Sequence, residues 1–163
     1  VIIGIGGISQ SGKSYLSNKV SAELSNSTVL SLDDYTLPEY KLPKIKDRYD
    51  WELPKAYDFN SLLSDALSCS DKFQHVILEG ILIFYDAAIN RLFDKRIMLM
   101  LEKSEFLKRR RKEKRWGDEP EWFLEHVWYS YEQYGKIVND EALLVNAQDF
   151  ADQSKIMDYL RKL

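Results

Sequence analysis

The stretch from Gly6 to Ser14, GGISQSGKS, constrains this chain more than any other, because it follows the apolar run VIIGI directly. From Gly7 onward it fits G-x-x-x-x-G-K-S, a loop whose backbone N–H groups curl around an anion between a strand and a helix. The glycines allow the tight path, and a helix starting near Lys13 adds its positive N-terminal end. In such a loop Lys13 reaches the terminal phosphates of a nucleoside triphosphate and Ser14 Oγ ligates Mg²⁺.

The rest of the chain repeats the alternation that the loop begins. Short β-branched or Leu-rich runs at 1–6, 28–32, 75–79, 96–101 and 142–145 predict strands. Between them the pattern predicts helices at 13–25, 60–68, 103–114, 120–139 and 150–162. Strands alternating with helices imply right-handed crossovers and a parallel sheet covered on both faces. The continuous apolar runs VIIGI and VILEGILIF suit doubly covered strands. A length of 163 residues suits one α/β domain over 1–163. One segment breaks the rhythm, from about 33 to 58. It has no clean period and holds Pro38, Pro43 and Pro54, three of the four prolines. Its aromatic content argues against disorder, so we read it as a substrate-side excursion.

Charge narrows the partners. The 23 basic and 26 acidic residues leave a net charge of −3, which argues against general affinity for nucleic acid or an anionic membrane. A single cysteine, Cys69, excludes an internal disulfide and a zinc cluster and fits a reducing, cytoplasmic setting. No apolar run reaches membrane-spanning length, and the opening is too short and uncharged for a secretory signal. A few residues are expected to precede the opening strand. A monomer acting on a small molecule is the expectation.

The phosphate needs a destination. A GTPase would carry an Asn-Lys-x-Asp guanine reader, and none is present. A small kinase needs a carboxylate beside an acceptor site and a mobile basic lid. Asp33 and Asp34 close the second strand, at the end where doubly wound sheets bind ligands. Adjacent strand residues point opposite ways, so one acid is expected to face the phosphates and accept a proton from an attacking hydroxyl. Glu79 ends another buried strand and is expected to bind Mg²⁺ through water. The basic run KRRRKEKRW, within a lid at about 108–119, suits a flap whose arginines neutralise charge during transfer.

The loop, LSLDDY, DWELPKAYDF, VILEGILIF, KRRRKEKRW and FLEHVWYSY occur in the order seen in nicotinamide riboside kinases, relatives of uridine kinases. This resemblance spans nearly the whole chain. It implies a three-layer α/β P-loop fold, a five-stranded parallel sheet of order 2-3-1-4-5, and ATP- and Mg²⁺-dependent phosphorylation of a ribose 5′-hydroxyl. By position, Asp33 matches the proton acceptor and joins Ser14 around Mg²⁺. Lys13 and Arg110 would support the transfer. Nucleotide contacts are implied along Gly7, Ile8, Ser9, Gln10, Ser11, Gly12, Lys13, Ser14 and Tyr15. Others are implied at Arg110, at Lys114, Arg115 and Trp116 of the lid, and at Asn146, Ala147 and Gln148 beside adenine. Substrate contacts are implied at Asp33, Asp34, Tyr35, Thr36, Trp51, Glu52, Arg111, Trp116, Gly117 and Asp118. Glu52 stands where the family has Asp, and Lys114 where arginine is usual.

Nicotinamide riboside carries a cationic ring. A sandwich between Trp51 and Trp116 would add about 0.5–2 kcal/mol per face, with Asp118 and Glu119 supplying a negative field. Uridine would gain stacking alone, so a uridine or cytidine kinase remains an alternative, as does a non-catalytic nucleotide-binding switch. Trp122 and Trp128 fall on a helical aromatic stripe and read as core. His126 reads as a structural hydrogen-bonder and His75 as a strand-entry residue.

Overall fold

A computed structural model describes residues 1–137, 142–148 and 154–162. The strand β1 (Ile2–Gly7) is buried at every position, as its unbroken apolar sequence requires. It lies at the centre of a parallel sheet between β5 (His75–Gly80) and β6 (Lys95–Met100), with Ile5 facing Glu79 on one side and Ile97 on the other. The edges are β2 (Ser27–Ser31) and β7 (Ala142–Asn146), giving the order β2-β5-β1-β6-β7. Counting only these five strands, that is the expected 2-3-1-4-5. β3 (Lys44–Ile45) and β4 (Arg48–Tyr49) form a separate antiparallel hairpin.

Helices α1 (Lys13–Glu23), α2 (Phe59–Ser70), α4 (Lys103–Lys112), α5 (Glu121–Ser130) and α6 (Ser154–Arg161) correspond to the five expected ones. They contribute Leu16, Val20, Leu62, Phe106, Phe123, Val127 and Ile156 to a core built on the β1, β5 and β6 side chains. Their ends differ from the sequence reading. α1 stops two residues early, and Asn26 takes a positive φ of 48° before β2, a conformation that Asn tolerates. α2 starts one residue early, where Asp58 caps it by accepting the Ser61 N–H at 3.0 Å, and runs two residues further at its other end. α5 gives way at Tyr131 to a wider π turn through Gly135, short of the expected 139. Residues 138–139 and 150–153, within the expected last two helices, lie outside the described residues. A four-residue helix, α3 (Ala87–Asn90), capped by Asp86, has no long periodic pattern to announce it.

The excursion is folded rather than structureless. Three short 3₁₀ turns (Leu32–Tyr35, Glu39–Lys41, Pro54–Ala56) surround the hairpin. Its two ends meet where the Leu37 N–H donates to Ala56 O and the Asp58 N–H to Tyr35 O, each at 2.8 Å. This closure turns the hairpin and the following residues toward the carboxyl ends of the strands. Among the described residues no helix is long and apolar enough to cross a membrane.

Candidate active site

The loop after β1 forms a cradle at that end of the sheet. Gly7 has φ 151° and Gly12 φ 92°, both in the region that side chains rarely adopt. A Cβ on Gly7 would stand 2.7 Å from Ser11 Oγ and 2.9 Å from Leu99 O, so the loop closes only with glycine there. Ile8 and Ser11 are buried, and Ser11 Oγ has no hydrogen-bond partner among the described residues. Lys13 Nζ donates to Ile8 O at 3.1 Å, curling across the loop it belongs to. The N-terminus of α1, which begins at Lys13, and the Lys13 ammonium suit an anion.

The cradle opens into a cavity of about 830 Å³. Ser9, Gln10, Gly12, Lys13, Ser14 and Tyr15 form one wall. Asp33 and Thr36, from the turn after β2, form another. The excursion adds Trp51, Glu52, Tyr57 and the hairpin residues Asp47, Arg48 and Tyr49; the lid adds Arg110, Arg115, Trp116 and Glu119. The cradle, the Asp33 carboxylate, aromatic rings and the basic segment thus share one space.

Lid and cradle are joined directly. Arg110, buried on α4, grips Glu119 with two bonds, Nε to Oε1 at 2.6 Å and Nη2 to Oε2 at 3.0 Å. Its Nη1 donates to Ser9 Oγ at 2.5 Å. Arg109 Nη1 donates to Gln10 O at 3.1 Å, and Gln10 Nε2 to Glu113 Oε2 at 3.2 Å. Trp116 lies under both Arg110 and Arg115, whose guanidinium carbons are 4.2 and 4.7 Å from its ring centre. The expected negative field from Asp118 and Glu119 is not what the lid presents. Glu119 is neutralised by Arg110, and Asp118 is 90% exposed and paired with Lys114.

A hard cation fits one corner. Glu79 is buried, and its Oε1 accepts from Ser31 Oγ at 2.6 Å and Ser14 Oγ at 3.2 Å. Asp33 faces the same cavity. These are oxygen donors only. Among the described residues no group of three or more His, Cys, Asp or Glu gathers to cage an ion. One or two carboxylates with substrate phosphates and water are what Mg²⁺ accepts. Ser14, Asp33 and Glu79 are the residues that would hold it. Ser31, which fixes the Glu79 carboxylate, had no motif to announce it.

Several expected residues are not brought to the cavity wall. The strand ends at Ser31, and Asp33 and Asp34 fall in a 3₁₀ turn rather than on alternating strand faces. Asp33 meets the cavity and Asp34 does not; the Tyr35 hydroxyl leaves to Asp65 at 2.8 Å. Arg111 points outward to Glu121, with bonds of 2.8 and 2.9 Å, because one helical step rotates it about 100° from Arg110. Lys114 and Asp118 pair with each other in solvent, and Gly117 has φ 74° with open space around it. Asn146 lines a separate cavity of about 240 Å³ with Met100, Leu101, Glu102 and Leu144. Beside it Ala147 N–H donates to Met100 O at 2.8 Å, and Asn146 Oδ1 accepts the Gln148 N–H. His126 bonds Asp50, and His75 Nδ1 lies 3.0 Å from Ser25 O at the strand entry. Trp122 and Trp128 pack against the core.

Burial lowers the pKa of Lys13, with the Glu79, Asp33 and Glu52 carboxylates acting in the opposite direction. Burial also pushes the Glu52 carboxyl up from 4.5 to about 7, opposed by Arg110 and reinforced by Asp50. The folded protein then holds a proton on Glu52 that the unfolded chain has lost between about pH 4.5 and 7. Stability from this group is full below that window and falls as pH rises through it, by roughly 3 kcal/mol at most. Glu52→Gln, neutral at every pH, is expected to be more stable than the parent at pH 8 and indistinguishable at pH 4.5. Urea midpoints at the two pH values measure this; a constant difference would contradict it.

The chain is similar to nicotinamide riboside kinase 1 of Homo sapiens, 27% identical over 158 residues, covering 85% of this chain and 78% of that protein. It is likewise 27% identical over 166 residues to nicotinamide riboside kinase 2 of Mus musculus, covering 89% and 85%. No family model matches. Among solved structures, a possible uridine kinase from Bacillus stearothermophilus superposes with a TM-score of 0.60 at 15% identity, covering 90% of this chain and 88% of that one. At that identity the likeness speaks for the fold.

Proposed function

We propose that this chain, a P-loop phosphotransferase with an alcohol acceptor and a relative of the nicotinamide riboside kinases, moves the γ-phosphoryl group of ATP to the 5′-hydroxyl of nicotinamide riboside. The product is nicotinamide mononucleotide, which places the reaction in NAD salvage. The observation that carries this reading is the shared cavity. The phosphate cradle, Asp33 and Trp51 line one space large enough for a nucleoside beside a triphosphate tail.

Each residue then has a task. The cradle from Gly7 to Ser14 holds the phosphates, and Lys13 and Arg110 offset the charge that spreads over the moving phosphoryl oxygens. Asp33 accepts the proton of the 5′-hydroxyl as its oxygen attacks phosphorus and the bond to the departing ADP breaks. A bound Mg²⁺ would supply further charge neutralisation between the phosphates. Glu52, when ionised, accepts hydrogen bonds from ribose hydroxyls. On this reading the adenine would lie by Asn146, which lines the smaller cavity, and by its neighbours Ala147 and Gln148.

The aromatic sandwich is revised in one respect. Two guanidinium groups already lie against Trp116, so a pyridinium there would meet cations. Trp51, 40% exposed and tilted against Tyr49 with ring centres 6.0 Å apart, is the face we assign to it. The test is a panel of nicotinamide riboside, uridine and cytidine with ATP and Mg²⁺, read by product mass. Nicotinamide riboside should be turned over at least tenfold more efficiently than the neutral nucleosides, the ratio that one desolvated cation–π contact supplies. Equal or better use of uridine would transfer the assignment to a pyrimidine nucleoside kinase.

A further inference from the structure

We propose that His126 is a positioning residue for the riboside wall, acting through the buried carboxylate of Asp50; this rests on the function proposed above. Asp50 is 1% exposed. Its Oδ2 lies 2.7 Å from His126 Nε2 on α5, and its Oδ1 accepts the Glu52 N–H at 3.1 Å. One carboxylate therefore ties a core helix to the backbone of the turn that presents Trp51 and Glu52 to the cavity. Two further bonds complete the clamp. Tyr57 Oη donates to Trp51 O, and the Asp50 N–H to Pro43 O, both at 2.8 Å.

A carboxylate removed from water needs donors for its lone pairs. Here the side-chain donor comes from His126 and the other from the turn it orients. His126 does not reach the cavity itself; its neighbour Phe123, with ring centres 6.0 Å apart, does. Removing the histidine donor leaves Asp50 under-paired, and the carboxylate then turns toward water and releases the Glu52 amide. The phosphate cradle has separate supports: Lys13 folds onto Ile8 O, and α4 holds Ser9 and Gln10. The effect should therefore fall on the riboside and spare the nucleotide.

The variants are His126→Leu, which removes the donor, and His126→Gln, whose amide Nε2 can restore it. His126→Leu is expected to raise KM for the riboside about tenfold, with KM for ATP within about twofold, and His126→Gln to recover most of the loss. Unchanged riboside KM, or equal shifts in both KM values, would overturn the proposal. Amide hydrogen exchange of the peptide containing Trp51 and Glu52 gives a readout that needs no turnover. It should quicken in His126→Leu and return in His126→Gln, and parental protection in His126→Leu would overturn the proposal by itself. A parent that phosphorylates no riboside refutes the proposed function, while the exchange comparison still decides the role of His126.

Discussion

Asp33→Asn is expected to lower kcat by about 10³-fold while nucleotide affinity changes far less, the loss typical of removing a positioned general base. Asn keeps the shape and most of the hydrogen bonding of Asp but cannot take the proton of the 5′-hydroxyl. The side chain is exposed to the cavity, on a turn held by its own backbone and by Thr36 Oγ1, which donates to Asp33 O at 2.9 Å. Folding should therefore survive the change, with a stability difference within about 0.5 kcal/mol. Steady-state kinetics with a thermal melt separates chemistry from folding. Turnover within tenfold of the parent would remove Asp33 from the reaction.

The second large effect belongs to Arg110, and here activity and stability should part. Arg110→Met removes a charge aimed at the cradle and leaves Glu119, 5% exposed, without its partner. An unpaired buried charge costs about 3–5 kcal/mol, and losing an arginine that neutralises a moving phosphoryl group costs about 10³ in kcat. Changing both partners, Arg110→Met with Glu119→Met, removes the buried charge altogether and should recover much of the stability. It should recover none of the turnover. Glu119→Gln alone leaves Arg110 partly paired, and added ATP should then stabilise that variant more than it stabilises the parent. Denaturant titrations of the variants beside their kcat values test this. Recovery of turnover in the double variant would show that Arg110 has only a structural task.

The cradle was legible because its chemistry is contiguous: nine neighbouring residues carry the glycines, the lysine and the serine. The sheet was legible for a related reason, since strands covered on both faces leave apolar runs such as 2–5 and 76–78. Ends were less legible, because they depend on local partners such as the Asp58 cap rather than on periodicity. Asp33 was separable from Asp34 only by the 3₁₀ turn, which strand alternation does not describe. Among the lid arginines a usable pattern was present. Phe106 is fully buried, and Arg110 lies four residues on, on the same helical face, whereas Arg111 turns away. The pairs Arg110–Glu119, Ser31–Glu79 and Asp50–His126 join residues distant in sequence or lacking any motif, and only the folded chain brings them together.

The most direct measurement is a crystal structure with a non-hydrolysable ATP analogue, Mg²⁺ and nicotinamide riboside bound together. The riboside 5′-oxygen should lie about 2.6–3.2 Å from an Asp33 carboxylate oxygen and in line with the terminal phosphorus in the cradle. A riboside seated in the cavity with its 5′-oxygen turned away from Asp33, or phosphates held outside the Gly7–Ser14 loop, would contradict the account.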